Sequence, residues 1–154
     1  MNNVIFLKFY SKSRFPPGKW NSEPDYCRWI RNGLVCVALR DMSLGIWKGF
    51  VGLDKSHPCF GQSVEDVLKA PSMLDAFLSI YGGICTAGYL PSRYEEDAKK
   101  LWWLGCETSH GGDLYPLLKT TPDMDIMLSG QTYKDLNFIR RETNKLAMYV
   151  SRIK

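Results

Sequence analysis

The chain has 154 residues, of which 45% are hydrophobic and 23% are charged, and its formal net charge is +4. This length and composition are typical of one globular domain and exclude a disordered chain. The mild positive charge is spread along the chain, so it gives little reason to expect a nucleic-acid binder and suits a small anionic ligand equally well.

The five cysteines include no C-x-x-C pair, so a structural zinc site is not expected. The N-terminal stretch MNNVIFLKFYSKSRF lacks the layout of a signal peptide, and no stretch has the apolar length needed to cross a bilayer. We therefore expect a cytoplasmic protein with reduced thiols, and we expect no membrane partner, no metal and no cofactor.

The first half of the chain predicts an irregular segment followed by a hairpin. Residues 10–33 are rich in proline, glycine and polar residues, and within them Pro24 suits the first turn of a short helix. LVCVALR (34–40) and GIWKGFVGL (45–53) are rich in β-formers and are joined by a short turn, which predicts an antiparallel hairpin. The glycines inside the second strand indicate a bulge or a close approach of another segment.

The middle of the chain predicts short elements. Ser63 and Asp66 form a helix-start signal, and Pro71 ends that segment. Residues 73–90 are ambiguous, because their first half fits a helix and IYGGICTAGYL fits a strand interrupted by glycine. LWWLGCE (101–107) predicts a strand that leads into a glycine-rich loop.

The C-terminal segment gives the clearest pattern. Six residues recur at spacings of three and four and predict one face of an amphipathic helix over residues 132 to about 152: Leu136, Ile139, Thr143, Leu146, Val150 and Ile153. Thr132 with Asp135 provides its capping signal. The fold class is therefore α+β, a single domain over residues 1–154 with an antiparallel sheet packed by a long C-terminal amphipathic helix.

The stretch WWLGCETSHGGDLYP (102–116) holds the densest group of chemically active side chains. Glu107, His110 and Asp113 follow at three-residue intervals, and a carboxylate beside an imidazole forms an acid–base pair or a hydrogen-bonding set for a ligand. The three would also suit a hard metal ion, although their spacing matches no standard metal motif. Consecutive strand residues face opposite sides, so one of Trp102 and Trp103 is expected in the core and the other towards a pocket or solvent.

Other aromatic and histidine residues extend the candidate set. Trp20 and Trp47, like Trp103, are candidate platforms on which a base would stack. His57 and His110 both lie in loop-like stretches with glycine or proline, where functional residues concentrate. They are the candidate acid and base if the chain is an enzyme, which the sequence leaves open.

The glycine pair and the thiols complete the candidates. Gly82 and Gly83 permit a close backbone approach to phosphate, but the lysine of a P-loop is absent, which argues against a nucleoside triphosphatase. Cys106 lies near His110, but it ends an apparently buried strand beside Glu107, and neither setting favours a reactive thiolate.

Five blocks together resemble a family of small phage and prophage proteins: GKWNSEPD, GIWKGFVGLDKSHPCFG, YGGICTAG, WWLGCETSHGGDLYP and TYKDLNFIRRETNKLA. The resemblance covers most of residues 18–147. Carried over position by position, it implies roles for ten residues: Trp20, Glu23, His57, Gly82, Gly83, Thr86, Trp103, Glu107, His110 and Asp113. The chain departs from the family pattern at Tyr81, where the pattern has histidine, and at Glu107, where it has aspartate.

The resemblance implies a phage origin and an accessory role against host defence in the cytoplasm of an infected bacterium. We therefore expect an anti-defence protein that sequesters a nucleotide immune signal, either a cyclic oligonucleotide or an ADP-ribose derivative. Trp103 or Trp20 would stack the base, and the two histidines with the glycine amides would meet phosphate. Glu107 and Asp113 would bind the ribose or the edges of the base, and Tyr81 would change the ligand preference.

Three alternatives stay open. The same residues would serve a phosphodiesterase-type enzyme in which His57 and His110 are the acid and the base. The chain would instead inhibit a host defence protein, in the manner of an anti-CRISPR protein, through an exposed surface rather than a pocket. A homo-oligomer with its site between subunits is the third alternative, and the C-terminal helix would then form the interface.

Overall fold

The computed structural model describes residues 3–91, 97, 99–118 and 131–154. Within them, six strands form one antiparallel sheet in the order β1-β2-β3-β4-β6-β5. The strands are β1 (Asn3–Lys8), β2 (Tyr26–Arg31), β3 (Leu34–Arg40), β4 (Trp47–Leu53), β5 (Thr86–Gly88) and β6 (Trp102–Glu107). The predicted antiparallel sheet and the 34–53 hairpin are confirmed.

Helices cover one face of this sheet, which we call the helix face. The α-helices of the described chain are α1 (Val64–Leu68), α2 (Met73–Ser79) and α3 (Leu136–Ser151). Helix α3 packs against β2, β3, β4 and β6, and α2 packs against α3. In this part of the chain no helix combines the length and the apolar character that a bilayer span requires.

Thr143 is the polar residue on the predicted apolar face of α3, and the packing of the helix explains its place there. Ile139, Leu146 and Val150 are fully buried, and so is Thr143. A Cβ on Gly49 of β4 would lie 2.0 Å from Thr143 Oγ1, so the glycine allows the helix to approach the sheet. The Thr143 hydroxyl donates to the Ile139 carbonyl at 2.7 Å, which satisfies it within the helix. The sequence predicted either a bulge or a close approach at the glycines of this strand, and Gly49 marks a close approach.

Two boundaries differ from the sequence predictions. The helix expected at Pro24 is wrong, because Tyr26–Arg31 pairs with strands on both sides and buries Cys27 and Trp29 on the helix face. Helix α3 begins at Leu136, after the Asp135 cap, whose carboxylate accepts from the Phe138 amide at 2.8 Å. Thr132 instead pairs with Asp113 in an isolated bridge.

The ambiguous segment 73–90 forms both of the structures that its sequence suggested. Its first half is α2, and its end is the short strand β5. Between them, Gly82 and Gly83 have φ values of +69° and +72°, a conformation that favours glycine. The glycine pair is therefore the turn that carries the chain from the helix to the sheet.

A buried ion pair joins the N-terminal segment to the sheet. Arg40 Nε donates to Asp25 Oδ1 at 2.7 Å, and these two residues are 4% and 0% exposed. Lys12 Nζ donates to Asp25 Oδ2 at 2.7 Å, and the Tyr10 amide donates to the same oxygen at 2.8 Å. Both carboxylate oxygens are thus satisfied, which a buried charge requires.

Glu23 extends this network to the start of α3. Its Oε1 accepts hydrogen bonds from the Tyr133 hydroxyl and from Arg40 Nη2, and its Oε2 accepts from the Leu136 amide at 2.7 Å. The Leu136 amide is one of the first-turn donors that no helix carbonyl can satisfy. The Tyr133 hydroxyl also accepts from Trp47 Nε1 at 3.1 Å. We call Lys12, Glu23, Asp25, Arg40 and Tyr133 the buried charge network.

Replacing Arg40 with methionine should destabilise the protein strongly. It removes one of the two cationic partners of the fully buried Asp25 and leaves Glu23 without its guanidinium, so we expect the free energy of unfolding to fall by about 3–5 kcal/mol. Urea denaturation followed by circular dichroism measures this. The control is Lys69→Met, which breaks an exposed pair with Asp66 and should cost far less. Equal small losses in the two variants would show that the network contributes little.

Candidate functional site

The face of the sheet opposite the helices carries its own set of aligned side chains, and we call it the cavity face. The register places Val35, Gly52, Trp103 and Gly88 in one row and Val37, Phe50, Gly105 and Thr86 in the next. The third row holds Leu39, Lys48 and Glu107. The rows become more polar towards the end of the sheet that carries Lys48.

A cavity of about 720 Å³ lies on this face, and we call it the sheet-face cavity. Its aromatic and aliphatic lining includes Leu39, Phe50, Trp103, Tyr89 and Leu90. Its polar lining includes Asp41, Ser43, Lys48, Thr86 and Tyr10. The volume and the largely apolar lining with a few polar groups are typical of small-molecule sites.

Gly105 shapes the base of this cavity. A Cβ there would lie 2.5 Å from Thr86 Oγ1 and 2.8 Å from Phe50 Cδ1. The glycine therefore lets the Phe50 ring and the Thr86 side chain lie flat over β6. Gly88, by contrast, has no atom of the described residues within 4 Å of the position that a Cβ would take, although it also lines the cavity.

Trp103 differs from the other tryptophans in its hydrogen bonding. The other four donate their indole N–H groups to protein acceptors. Trp20 donates to Pro16 O and Trp29 to Asn144 Oδ1. Trp47 donates to the Tyr133 hydroxyl and Trp102 to Gln62 O. Trp103 is 1% exposed, and its buried Nε1 has no hydrogen-bond partner among the residues that the structure describes. An unmet buried donor is costly, so a residue of this kind in a cavity lining calls for an acceptor.

Lys48 and Asp41 form an ion pair at the polar end of the sheet-face cavity. Lys48 Nζ lies 3.3 Å from Asp41 Oδ2. Burial alone would raise the pKa of Asp41, but hydrogen bonds from Ser43 together with Lys48 hold it below its usual value. Glu107 is the cross-strand neighbour of Lys48, and its Oε1 accepts from Ser109 Oγ at 2.6 Å. The lining at this end thus offers the Asp41 carboxylate and the Lys48 ammonium group, and Glu107 lies next to it on the same face of the sheet.

A second group of predicted residues surrounds Asp113, and we call Tyr81, His110, Asp113 and Lys134 the His110 cluster. Asp113 is 2% exposed, and its Oδ1 accepts from the Tyr81 hydroxyl at 2.7 Å. Lys134 Nζ lies 3.4 Å from the same oxygen. Burial, with the Asp113 hydrogen bond, raises the pKa of Tyr81 to about 12, so its hydroxyl stays protonated and donates.

His110 lies against both Asp113 and the glycine turn. Its amide donates to Asp113 Oδ2 at 3.0 Å, and its buried Nδ1 lies 3.5 Å from that oxygen without a hydrogen bond. A Cβ on Gly82 would lie 2.0 Å from His110 Nε2, so the imidazole fills the space beside this glycine. The Gly83 amide donates to Ile80 O at 2.8 Å in the turn, so one of the two amides predicted to meet phosphate is already engaged.

Three predicted ligand residues have structural partners elsewhere. Trp20 is 3% exposed and packs edge-to-face on Tyr133, while Glu23 belongs to the buried charge network. His57 Nε2 lies 3.0 Å from Val150 O, and its Nδ1 accepts from the Cys59 amide. His57 thus lies beside Val150 on α3. Phe138, twelve residues earlier on the same helix, contacts Tyr81, which in turn contacts His110. The structure therefore separates His57 from His110 by about 18 Å along the helix.

The structure divides the predicted set into groups. Thr86, Trp103 and Glu107 share the cavity face, and Tyr81, Gly82, His110 and Asp113 lie together at the glycine turn. Gly83 lies in that turn beside them, lining a separate open depression of about 560 Å³ with Tyr81 and Glu142.

Thiol and metal chemistry find no support in the described residues. Burial raises the pKa of Cys106 to about 12, which makes it a poor nucleophile. Among the described side chains, no group of three His, Cys, Asp or Glu is arranged to hold a metal ion.

Sequence reasoning missed Asp41, Lys48 and Phe50 as cavity residues. Lys48 and Phe50 alternate with residues of the helix face along β4, and this period of two was the signal that could have identified them. Asp41 follows β3 and reaches the site only through the hairpin.

Comparison with protein-family models, with curated protein sequences and with solved structures gave no match to this chain.

Replacing Gly82 with alanine should destabilise the protein more than the same change at Gly61. Both glycines have positive φ, which costs alanine on the order of 1–2 kcal/mol. Nothing lies near a Cβ at Gly61, whereas one at Gly82 meets His110, which adds roughly 1–3 kcal/mol of overpacking. Urea denaturation of the two variants measures the difference.

The double variant Gly82→Ala/His110→Ala should recover part of the added cost, because it removes the clash. Equal destabilisation by Gly82→Ala and Gly61→Ala would contradict the close packing of His110 on the turn.

Proposed function

We propose that this protein binds and sequesters a nucleotide-derived signal molecule in the sheet-face cavity. The base of the ligand would lie over the Phe50 ring with an acceptor on its edge towards the Trp103 indole N–H, and its polar part would reach Lys48, Asp41 and Glu107. In the context of the resemblance to phage proteins, the proposed role is to remove an immune signal of the bacterial host.

The observation that carries the proposal is the unmet indole N–H of Trp103 in the lining of this cavity. Bases carry ring nitrogens and carbonyl oxygens that would accept from it, and aromatic side chains are the usual surfaces on which bases stack. The Lys48–Asp41 ion pair lies at one end of the cavity, which matches a ligand with a flat apolar part and a separate polar part.

A second candidate function is hydrolysis of such a signal, and the pairing of His110 with Asp113 favours it. Asp113 Oδ2 lies 3.5 Å from His110 Nδ1. In a general base of this kind, a carboxylate beside Nδ1 orients the imidazole, and Nε2 takes the proton. His57 is too far away to act with it, so His110 would have to work alone. Sequestration leaves the ligand intact and hydrolysis does not, so product analysis separates the two.

The test incubates the protein with a panel of nucleotide second messengers, including cyclic oligonucleotides and ADP-ribose derivatives. Liquid chromatography of the unbound fraction is run before and after heat denaturation. We expect one messenger to disappear and to return intact on heating. Products in place of the intact messenger would support hydrolysis instead, and every messenger staying free would contradict the proposal.

A matched pair of glycine variants places the binding in the cavity. Gly88→Phe adds a ring that projects from the same face as Trp103 into open space, so it should abolish capture without a clash. Gly111→Phe adds the same ring on a loop outside the cavity lining and should leave capture unchanged. Capture that survives Gly88→Phe would locate the site elsewhere.

A further inference from the structure

The polar end of the sheet-face cavity limits which part of a nucleotide can bind there. The ammonium of Lys48 already lies 3.3 Å from the Asp41 carboxylate. Glu107 lies directly across from Lys48 on β6, on the same face of the sheet and next to the residues that line the cavity. A phosphate that approached Lys48 would have to displace one carboxylate and would face repulsion from the other, both of which cost free energy.

Hydroxyl groups meet this end without that cost. A hydroxyl donates one hydrogen bond and accepts others, so a pair of neighbouring hydroxyls can donate to carboxylates while it accepts from an ammonium group. Asp41 is held ionised by Ser43 and Lys48, since its pKa lies below the usual value. Carboxylates that accept from ribose hydroxyls are a general solution to sugar recognition in nucleotide sites.

The dimensions of the cavity face fit a base joined to a ribose. Trp103 and Glu107 are four residues apart on β6, which corresponds to about 13 Å. Trp103 lies at one end of this span, Phe50 pairs with Gly105 at its middle, and Lys48 lies at the other end with Asp41 beside it. The unmet Trp103 Nε1 is a second, independent sign of a missing acceptor, at the end where the base would lie.

From this arrangement we infer that the protein recognises the ribonucleoside part of its ligand, with the ribose 2′ and 3′ hydroxyls on Asp41, Lys48 and Glu107. Phosphate groups point out of the sheet-face cavity and add little to the affinity. This inference rests on the proposed function, and it names the chemical class that the cavity selects.

Isothermal titration calorimetry tests it with the four common ribonucleosides, their 2′,3′-dideoxy analogues and their 5′-monophosphates. We expect at least one ribonucleoside to bind, and its dideoxy analogue to bind about tenfold more weakly, the effect of one or two lost hydrogen bonds to charged groups. The monophosphate should bind no more tightly than the nucleoside.

Conservative variants assign the effect to these side chains. Asp41→Asn and Glu107→Gln each remove a carboxylate at nearly constant shape, so each should reduce the preference for the ribonucleoside over its dideoxy analogue. Glu65→Gln, on the exposed side of α1, should leave that preference unchanged. Thermal melting of each variant checks that it is folded.

Equal affinity for ribonucleoside and dideoxynucleoside would overturn the inference. The inference would also be overturned if a monophosphate or an intact messenger bound while no nucleoside did. The proposed function would still stand in that case. Failure of every nucleoside, monophosphate and messenger to bind would remove the proposed function itself.

Discussion

Arg40 donates to Asp25 and Glu23 and to the Tyr133 hydroxyl at a position where almost no water reaches. Burial alone would lower the pKa of Arg40, but these oxygens raise it, so the guanidinium stays charged. Arg40 lies at the end of β3, and these partners come from the segment before β2 and from the turn before α3. Removing any one leaves a buried charge or donor unpaired, and this makes the network a strong constraint on how the helix meets the sheet.

Once α3 is held in this way, the two faces of the sheet differ in how completely they are filled. The helix face buries Trp29, Leu104 and Leu146 against the helices. The opposite face buries a smaller cluster around Phe50 and Trp103, and a cavity of about 720 Å³ remains beside it. Stability is therefore concentrated on the helix side, while an aromatic surface, a separate ion pair and an unmet donor lie on the other. Sites are commonly built in this way, on rigid elements whose positions are fixed elsewhere.

Much of the fold could be predicted from the sequence because it follows hydrophobic periodicity. The face of α3 shows the helical period clearly, and the hairpin after Gly33 is indicated by two runs of β-formers joined by a short turn. The start of α3 could not be predicted to the residue, because Thr132 and Asp135 are both capping residues and only the pairing of Thr132 with Asp113 decides between them. Trp20 and Glu23 show why the site was harder: an aromatic ring beside a carboxylate suits a ligand pocket and a buried ion network equally. Lys48 and Asp41 are ordinary single charges in sequence, and they meet only because β3 and β4 pair.

The most direct test of binding in the sheet-face cavity is a ¹H–¹⁵N spectrum that follows the five tryptophan indoles while the nucleotide messengers are added one at a time. Four indole N–H groups already have protein acceptors, and Trp103 has none in the described part of the chain. We predict that the Trp103 indole signal, assigned with Trp103→Phe, shifts on binding and that the other four stay nearly fixed. A ligand that leaves the Trp103 indole signal in place but shifts the backbone amide signals of Tyr81 and His110 would contradict the sheet-face cavity as the binding site.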